Sequence, residues 1–199
     1  MPMGERCKLS VILPYLSGSL CVGRCIELLK ANTRSPFEVC SVVDVPGAYE
    51  AYNRSRELAK GHVLVFLNDD MFVPPGWDVP FLPAIQEKTI VTGYLVEPGR
   101  LPVNYRNIHR DFGRDAALFE ADRFNAFAEA YSKRLPESEP GVGWYMPFAV
   151  RREDALPFPT RPDFPNDFTL FGMYAARGYK FRRVRSFAYH LQRMSDWSI

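Results

Sequence analysis

The residues with chemistry to offer stand at the ends of apolar runs. The segment VLVFLNDDMFVPPGW (63–77) places Asn68, Asp69 and Asp70 directly after an apolar stretch. An unpaired ionised carboxylate in an apolar site costs many kcal/mol or takes up a proton. Both acids must therefore meet water, a cation or a hydrogen-bond donor. Two readings follow. Oxygen donors of this kind suit hard cations such as Mg2+ or Mn2+, which keep waters and bridge to substrate phosphates. Asn and Asp are also common in a plain polar turn after a strand. If the strand continues extended, Asn68 and Asp70 share one side and Asp69 takes the other. Asp44 ends a second apolar run, FEVCSVVD (37–44), and His190 ends a third, KFRRVRSFAYH (180–190).

The elements that position these groups alternate. KLSVILP (8–14) reads as a strand stopped by Pro14, and SLCVGRCIELLKANTR (19–34) as a helix with Cys25, Leu28 and Leu29 at helical spacing. FEVCSVVD is a second strand, AYEAYNRSRELAK (48–60) a second helix and HVLVFLN (62–68) a third strand. Strand, helix, strand, helix, strand with short connections argues for an α/β fold, a mixed, mostly parallel sheet flanked by helices. Ligands of such sheets bind beyond the carboxyl ends of the strands, so Pro14, Asp44 and Asp70 are expected to face one crevice. PPGWDVPFLPAIQ (74–86) reads as a turn and a short helix, and TIVTGYLV (89–96) as a strand. Residues 97–143 lack periodicity except for a helix at 121–135. They read as an excursion from the sheet, a mobile lid or acceptor loop. WYMPFAV (144–150) returns as a strand, 167–178 as a helix capped by Gly178, and 180–190 as the last strand. Asn166 or Asp167 is suited to open that helix as its N-cap.

With 199 residues, 47% of them hydrophobic, the chain is long enough for one globular domain over 1–199. The net charge of +2 gives no reason to expect nucleic acid. No apolar run approaches the roughly 20 residues of a membrane span, and the N-terminus lacks a signal peptide's apolar stretch. A cytoplasmic location is the expectation. Cys21 and Cys25 sit beside Leu28 and Leu29 as small buried hydrophobes, with a metal or disulfide role as the other reading. Trp77 and Trp144 either stack on sugar or pack. Arg182, Arg183, Arg185 and Arg193 either form a solvated face or meet an anion.

Taken in order, SVILPYL, VVD, YNRSRELAKGHVLVFLNDDMFVPPGW, WYMPFAVRRE and NDF…ARGYKFRRV…YH resemble the blocks of family 2 glycosyltransferases of the GT-A fold. The resemblance covers nearly the whole chain except 97–143. It implies a Rossmann-like GT-A domain and an inverting, metal-dependent hexosyl- or deoxyhexosyltransferase of polysaccharide biosynthesis. The donor is a nucleoside-diphosphate sugar, and the acceptor a glycan or lipid-linked sugar, which leaves room for contact with a membrane surface. Matched motif by motif, Asp70 and His190 would hold Mn2+ or Mg2+. Asn68 stands where an acid is common and would contact sugar or ribose, with Asp69 beside it. Asp44 would contact the nucleoside, although Val45-Pro46-Gly47 replaces the usual D-G-S. Pro14 and Tyr15 would lie under the nucleobase. Asn53 would join them or remain a solvated helix residue. Asp167 would be the general base for the acceptor hydroxyl, with the helix cap as its other reading, and 97–143 would lie on the acceptor side. Two rivals stand: a sugar-phosphate nucleotidyltransferase, whose G-G-x-G-x-R is absent after the first strand, and a catalytically silent nucleotide- or sugar-binding module.

Overall fold

The computed structural model describes residues 9–99, 107–141, 146–160 and 166–192, with the side chains of Asn166 and Asp167 outside that set. The aliphatic runs form β1 (Leu9–Ile12), β2 (Phe37–Cys40) and β3 (Val63–Phe66), separated by α1 (Val22–Asn32) and α2 (Ala48–Glu57). The chain continues through β4 (Met71–Phe72), β5 (Thr89–Glu97), β6 (Ile108–His109), α3 (Ala121–Ser132), β7 (Ser138–Pro140), β8 (Phe148–Arg151), α4 (Asn166–Ala176) and β9 (Lys180–His190).

Among the described residues these strands form one mixed sheet of order β2-β1-β3-β8-β5-β9-β4, with β6 beside β5 and β7 beside β9. β1 pairs in parallel with β2 and β3, while β8 runs antiparallel to both β3 and β5. β9 is parallel to β5. The carboxyl ends of β1, β2, β3, β5 and β9 therefore share one edge, where open α/β sheets take ligands.

Both faces of the sheet are covered, and this explains the unbroken apolar runs. Val63, Val65 and Leu67 pack into a cluster with Cys25, Leu28 and Leu29 of α1 and Phe124 of α3. Leu64 and Phe66 point the other way, toward Tyr52 of α2 and Leu170, Phe171 and Tyr174 of α4. Each fully buried side chain of this size contributes about 1.5–3 kcal/mol. The charged residues that follow β3 are thus carried on a rigid support. α4 ends as expected at Gly178, whose φ of +76° suits a C-terminal glycine cap.

Two segments differ from expectation. Residues 74–86 form turns and a single 3-10 segment, Leu82–Ala84, because Pro80 and Pro83 lack the N–H a longer helix needs. Trp77 is buried there, its indole N–H donating to Thr33 Oγ1 at 2.9 Å. Asp78 accepts from the Arg34 and Ser35 amides. The segment is stapled to the end of α1, so Trp77 packs rather than offering a face to sugar; Trp144 lies outside the described residues. The excursion is likewise built into the sheet where it is described. Phe112, Phe119 and Phe124 surround Tyr189 of β9. The Tyr189 hydroxyl donates to Gly113 O at 2.6 Å and accepts from the Phe112 amide at 3.1 Å. No helix among the described residues is long and apolar enough to cross a membrane.

Candidate active site

The site is assembled from loops at the shared strand edge. After β1, Pro14 is buried and Tyr15 bridges in parallel to Val43 after β2. Asp44 adopts a positive φ of 54° and accepts from the Ser17 amide at 2.7 Å. This bond ties the two loops together. Gly47, with φ of +81°, opens α2 where the resemblance has the D-G-S serine, so that helix starts without a side-chain cap.

The residues after β3 turn rather than extend: the Met71 amide donates to Asn68 O. The chain takes the turn and not the extended course that would put Asn68 and Asp70 on one side, and the three polar residues go to three different elements. Asn68 Oδ1 lies 2.7 Å from the Tyr52 hydroxyl of α2. Asp69 Oδ2 accepts a short hydrogen bond from Ser19. That hydroxyl also accepts from the Cys21 and Val22 amides, both at 3.2 Å, at the start of α1. Asp70 meets β9. The physical reason for the turn is β4, which must fold back to pair antiparallel with β9 in the register Met71↔His190. The Leu191 amide then donates to Asp70 O at 3.1 Å.

That register brings the imidazole of His190 between two acids. Nε2 lies 3.4 Å from Asp70 Oδ1, and Nδ1 lies 2.9 Å from Glu97 Oε1 at the end of β5. A carboxylate only accepts, so the ring donates through Nδ1. Asn107 holds the other Glu97 oxygen at 2.7 Å. Burial works to lower the His190 pKa, but the hydrogen bonds and charges of Asp70 and Glu97 outweigh it and raise the value to about 9. For Glu97, burial opposes ionisation, and the bonds from His190 and Asn107 overcome it, so its pKa is lowered. Asp69 behaves in the opposite sense. Burial pushes its pKa up, the Ser19 bond only partly compensates, and the Asp70 charge adds to the rise. Burial, with the charges of Asp69 and Asp70, also pushes the Cys25 thiol well up, which marks it as an inert core group.

Asp69, Asp70 and Glu97 are 5%, 3% and 5% exposed. Three nearly buried acids against one imidazole make this edge a place for positive charge. Among the described residues no group of three or more His, Cys, Asp or Glu side chains is arranged to hold a metal ion by itself. Asp70 and His190 supply one oxygen and one nitrogen, a partial donor set of the kind that substrate phosphates and waters complete around Mg2+. Glu97 stands behind His190 as the orienting carboxylate such a ligand usually has. The residues present fit a divalent cation shared with a substrate.

Other expected residues lie elsewhere. Asn53 is half-buried and paired with the backbone of Phe158. Its amide donates to Phe158 O at 2.9 Å and accepts from the Phe158 amide at 2.8 Å. Arg182, Arg183 and Arg185 are tied to the β7 side of the sheet through Ser138, Glu139 and Glu137. Arg193 lies outside the described residues. Asp167 stands in the first turn of α4, and its side chain is outside the description. Sequence reasoning missed Glu97, Ser19 and Tyr52. Glu97 was detectable by the rule that found Asp70, since it is the acid directly after the apolar run TIVTGYLV.

The mixed sheet and its flanking helices share the fold of GT-A glycosyltransferases of known structure. GalNAc-T7, solved with UDP, GalNAc and Mn2+, superposes with a TM-score of 0.68 over 96% of this chain and 45% of that one, at 14% identity. S. aureus TarS 1-349 superposes with a TM-score of 0.62 over 92% of this chain and 60% of that one, at 15% identity. The chain thus spans 45% and 60% of the structures it resembles. No family model matches it, and no curated protein matches it in sequence.

Proposed function

We propose that this chain is an inverting glycosyltransferase that moves a sugar from a nucleoside-diphosphate donor to an acceptor hydroxyl on a glycan or lipid-linked sugar. The observation that carries the reading is the Asp70–His190–Glu97 cluster at the carboxyl edge of a GT-A sheet. Asp44, Pro14 and Tyr15 border the same edge and would hold the nucleoside. Asn68 and Asp69 would flank the donor sugar or ribose. A divalent cation, Mn2+ or Mg2+, held by Asp70 and His190 would supply positive charge against that gathering on the departing diphosphate. Asp167 takes the proton of the acceptor hydroxyl as its oxygen bonds to the anomeric carbon. The bond from that carbon to the diphosphate oxygen breaks, and the electron pair leaves with the nucleoside diphosphate.

Thermal shift with a panel of nucleotide sugars, with and without Mn2+, tests the reading on wild type and on Asp70→Ala. The expected result is a metal-dependent shift in wild type that the variant loses. If no nucleotide stabilises the wild type, or if Asp70→Ala keeps the full metal-dependent shift, the assignment fails. Asp167→Asn is expected to keep donor binding and lose transfer; donor binding without turnover in the wild type would instead mark a silent binding module.

A further inference from the structure

Away from the acid-lined edge, a cavity of about 530 Å3 opens between the Pro74–Trp77 segment, α3 and the middle of β9. That size lies in the range of small-molecule sites, about 300–1,000 Å3. Its polar groups are of the opposite character to those at Asp70. Arg34 is exposed, and among the described residues its guanidinium has no hydrogen bond or ion pair. It lies close over Gly76, where an added Cβ would come within 3.2 Å of Arg34 Nε. Arg185 also lines the cavity. Among the described residues its one ion pair, at 3.0 Å, is to Glu137, which is 88% exposed, and such a contact holds little in water. Asn125 adds a primary amide from α3. One acid, Glu129, also lines the cavity, and its side chain is 73% exposed to solvent beside Lys133 at 2.8 Å.

Ser186 supplies an independent sign. It lines the cavity, is 1% exposed, and its hydroxyl has no partner among the described residues. A buried polar atom without a partner is uncommon and calls for a ligand, water or ion. Pro74 and Pro75 give the cavity an apolar wall. The set is two guanidinium groups, an amide, a buried hydroxyl and an apolar wall.

We propose that this cavity is a second saccharide subsite, which holds an acidic residue of the acceptor glycan by its carboxylate or phosphate group. Planar guanidinium forks match either anion. That the ligand is a sugar rests on the transferase reading above. Ser186 precedes His190 by four residues on β9, and Pro74 follows Asp70 by four. At about 3.3 Å per residue the cavity lies roughly 13 Å from the metal-binding edge. One oligosaccharide spans both. Asp70 and Glu97 line the other edge, and the two arginines anchor the acidic sugar here.

Isothermal titration of the full chain tests this with four probes: a glucuronate-containing disaccharide, a hexose 6-phosphate, a neutral disaccharide and sulfate. The expected result is that one acidic sugar binds at least tenfold more tightly than the neutral sugar and than sulfate, the tighter arm telling carboxylate from phosphate. Arg34→Ala, on an exposed position, is expected to lose that binding tenfold or more, and Asn125→Ala to weaken it several-fold. Metal-dependent nucleotide shifts are expected to be unchanged in both. Acidic and neutral sugars binding alike, sulfate binding as tightly as the acidic sugar, or Arg34→Ala binding like wild type would each overturn the inference. Failure of the transferase reading looks different, because nucleotide then gives no shift while the acidic sugar still binds in an Arg34-dependent way.

Discussion

Asp69 and Asp70 are neighbours in the chain, yet they belong to regions with opposite electrostatic character. Asp69 faces the α1 side, where its partner is a neutral hydroxyl and burial raises its pKa. Asp70 faces the β5–β9 side, where an imidazole sits between it and Glu97. One carboxylate organises a helix start, and the other is the acid to which the proposed function gives the cation. A dipeptide of two identical acids therefore carries two roles, and the strand pairing around it assigns them.

The largest expected effect tests the Asp70 side. Removing a metal-binding carboxylate forfeits several kcal/mol of charge stabilisation, so Asp70→Ala is expected to lower transfer on the order of 1,000-fold, measured as kcat/KM. A loss within a few-fold of wild type would break the division between the two acids. Glu97→Gln comes next. An orienting carboxylate typically contributes about 10–100-fold in metal affinity, so Mn2+ titration by calorimetry should show a loss in that range. The 15N shifts of the His190 ring in metal-free protein should change with it, a readout that a purely structural Glu97 would leave alone.

The remaining predictions test the Asp69 side. Ser19→Ala removes the hydroxyl that accepts from the Cys21 and Val22 amides and leaves buried Asp69 without its side-chain donor, an expected cost of about 2 kcal/mol in denaturant unfolding. Metal-dependent nucleotide shifts should persist in that variant. Asp69→Asn has the smallest expected effect, under about 1 kcal/mol, since a neutral amide oxygen still accepts from Ser19 and no buried charge remains. If Asp69→Asn abolished metal binding as Asp70→Ala does, the two carboxylates would form one site.

The elements near Asp70 were legible because their signals are local. An apolar run bounded by polar residues reads as a covered strand, and the three runs leading to Asp44, Asp70 and His190 form β2, β3 and β9, whose carboxyl ends share one edge. The pairing of Asn53 with Phe158 was not legible because nothing near Asn53 in the chain announces a partner 105 residues away. The Asn68–Asp70 turn was one of the courses the local sequence allowed, and pairing of β4 with β9 selects it over extension.

The sequence by itself determined the alternation of elements, the apolar runs that must be covered on both faces, and the carboxylates that cannot stay inside them. Those follow from burial, a property each residue carries with it. Only the tertiary structure decided which acid meets the imidazole, that Glu97 stands behind it, and that Arg34, Arg185 and Ser186 line one cavity. Those depend on strand order and register, and a shift of one residue between β4 and β9 would put a different side chain beside Asp70.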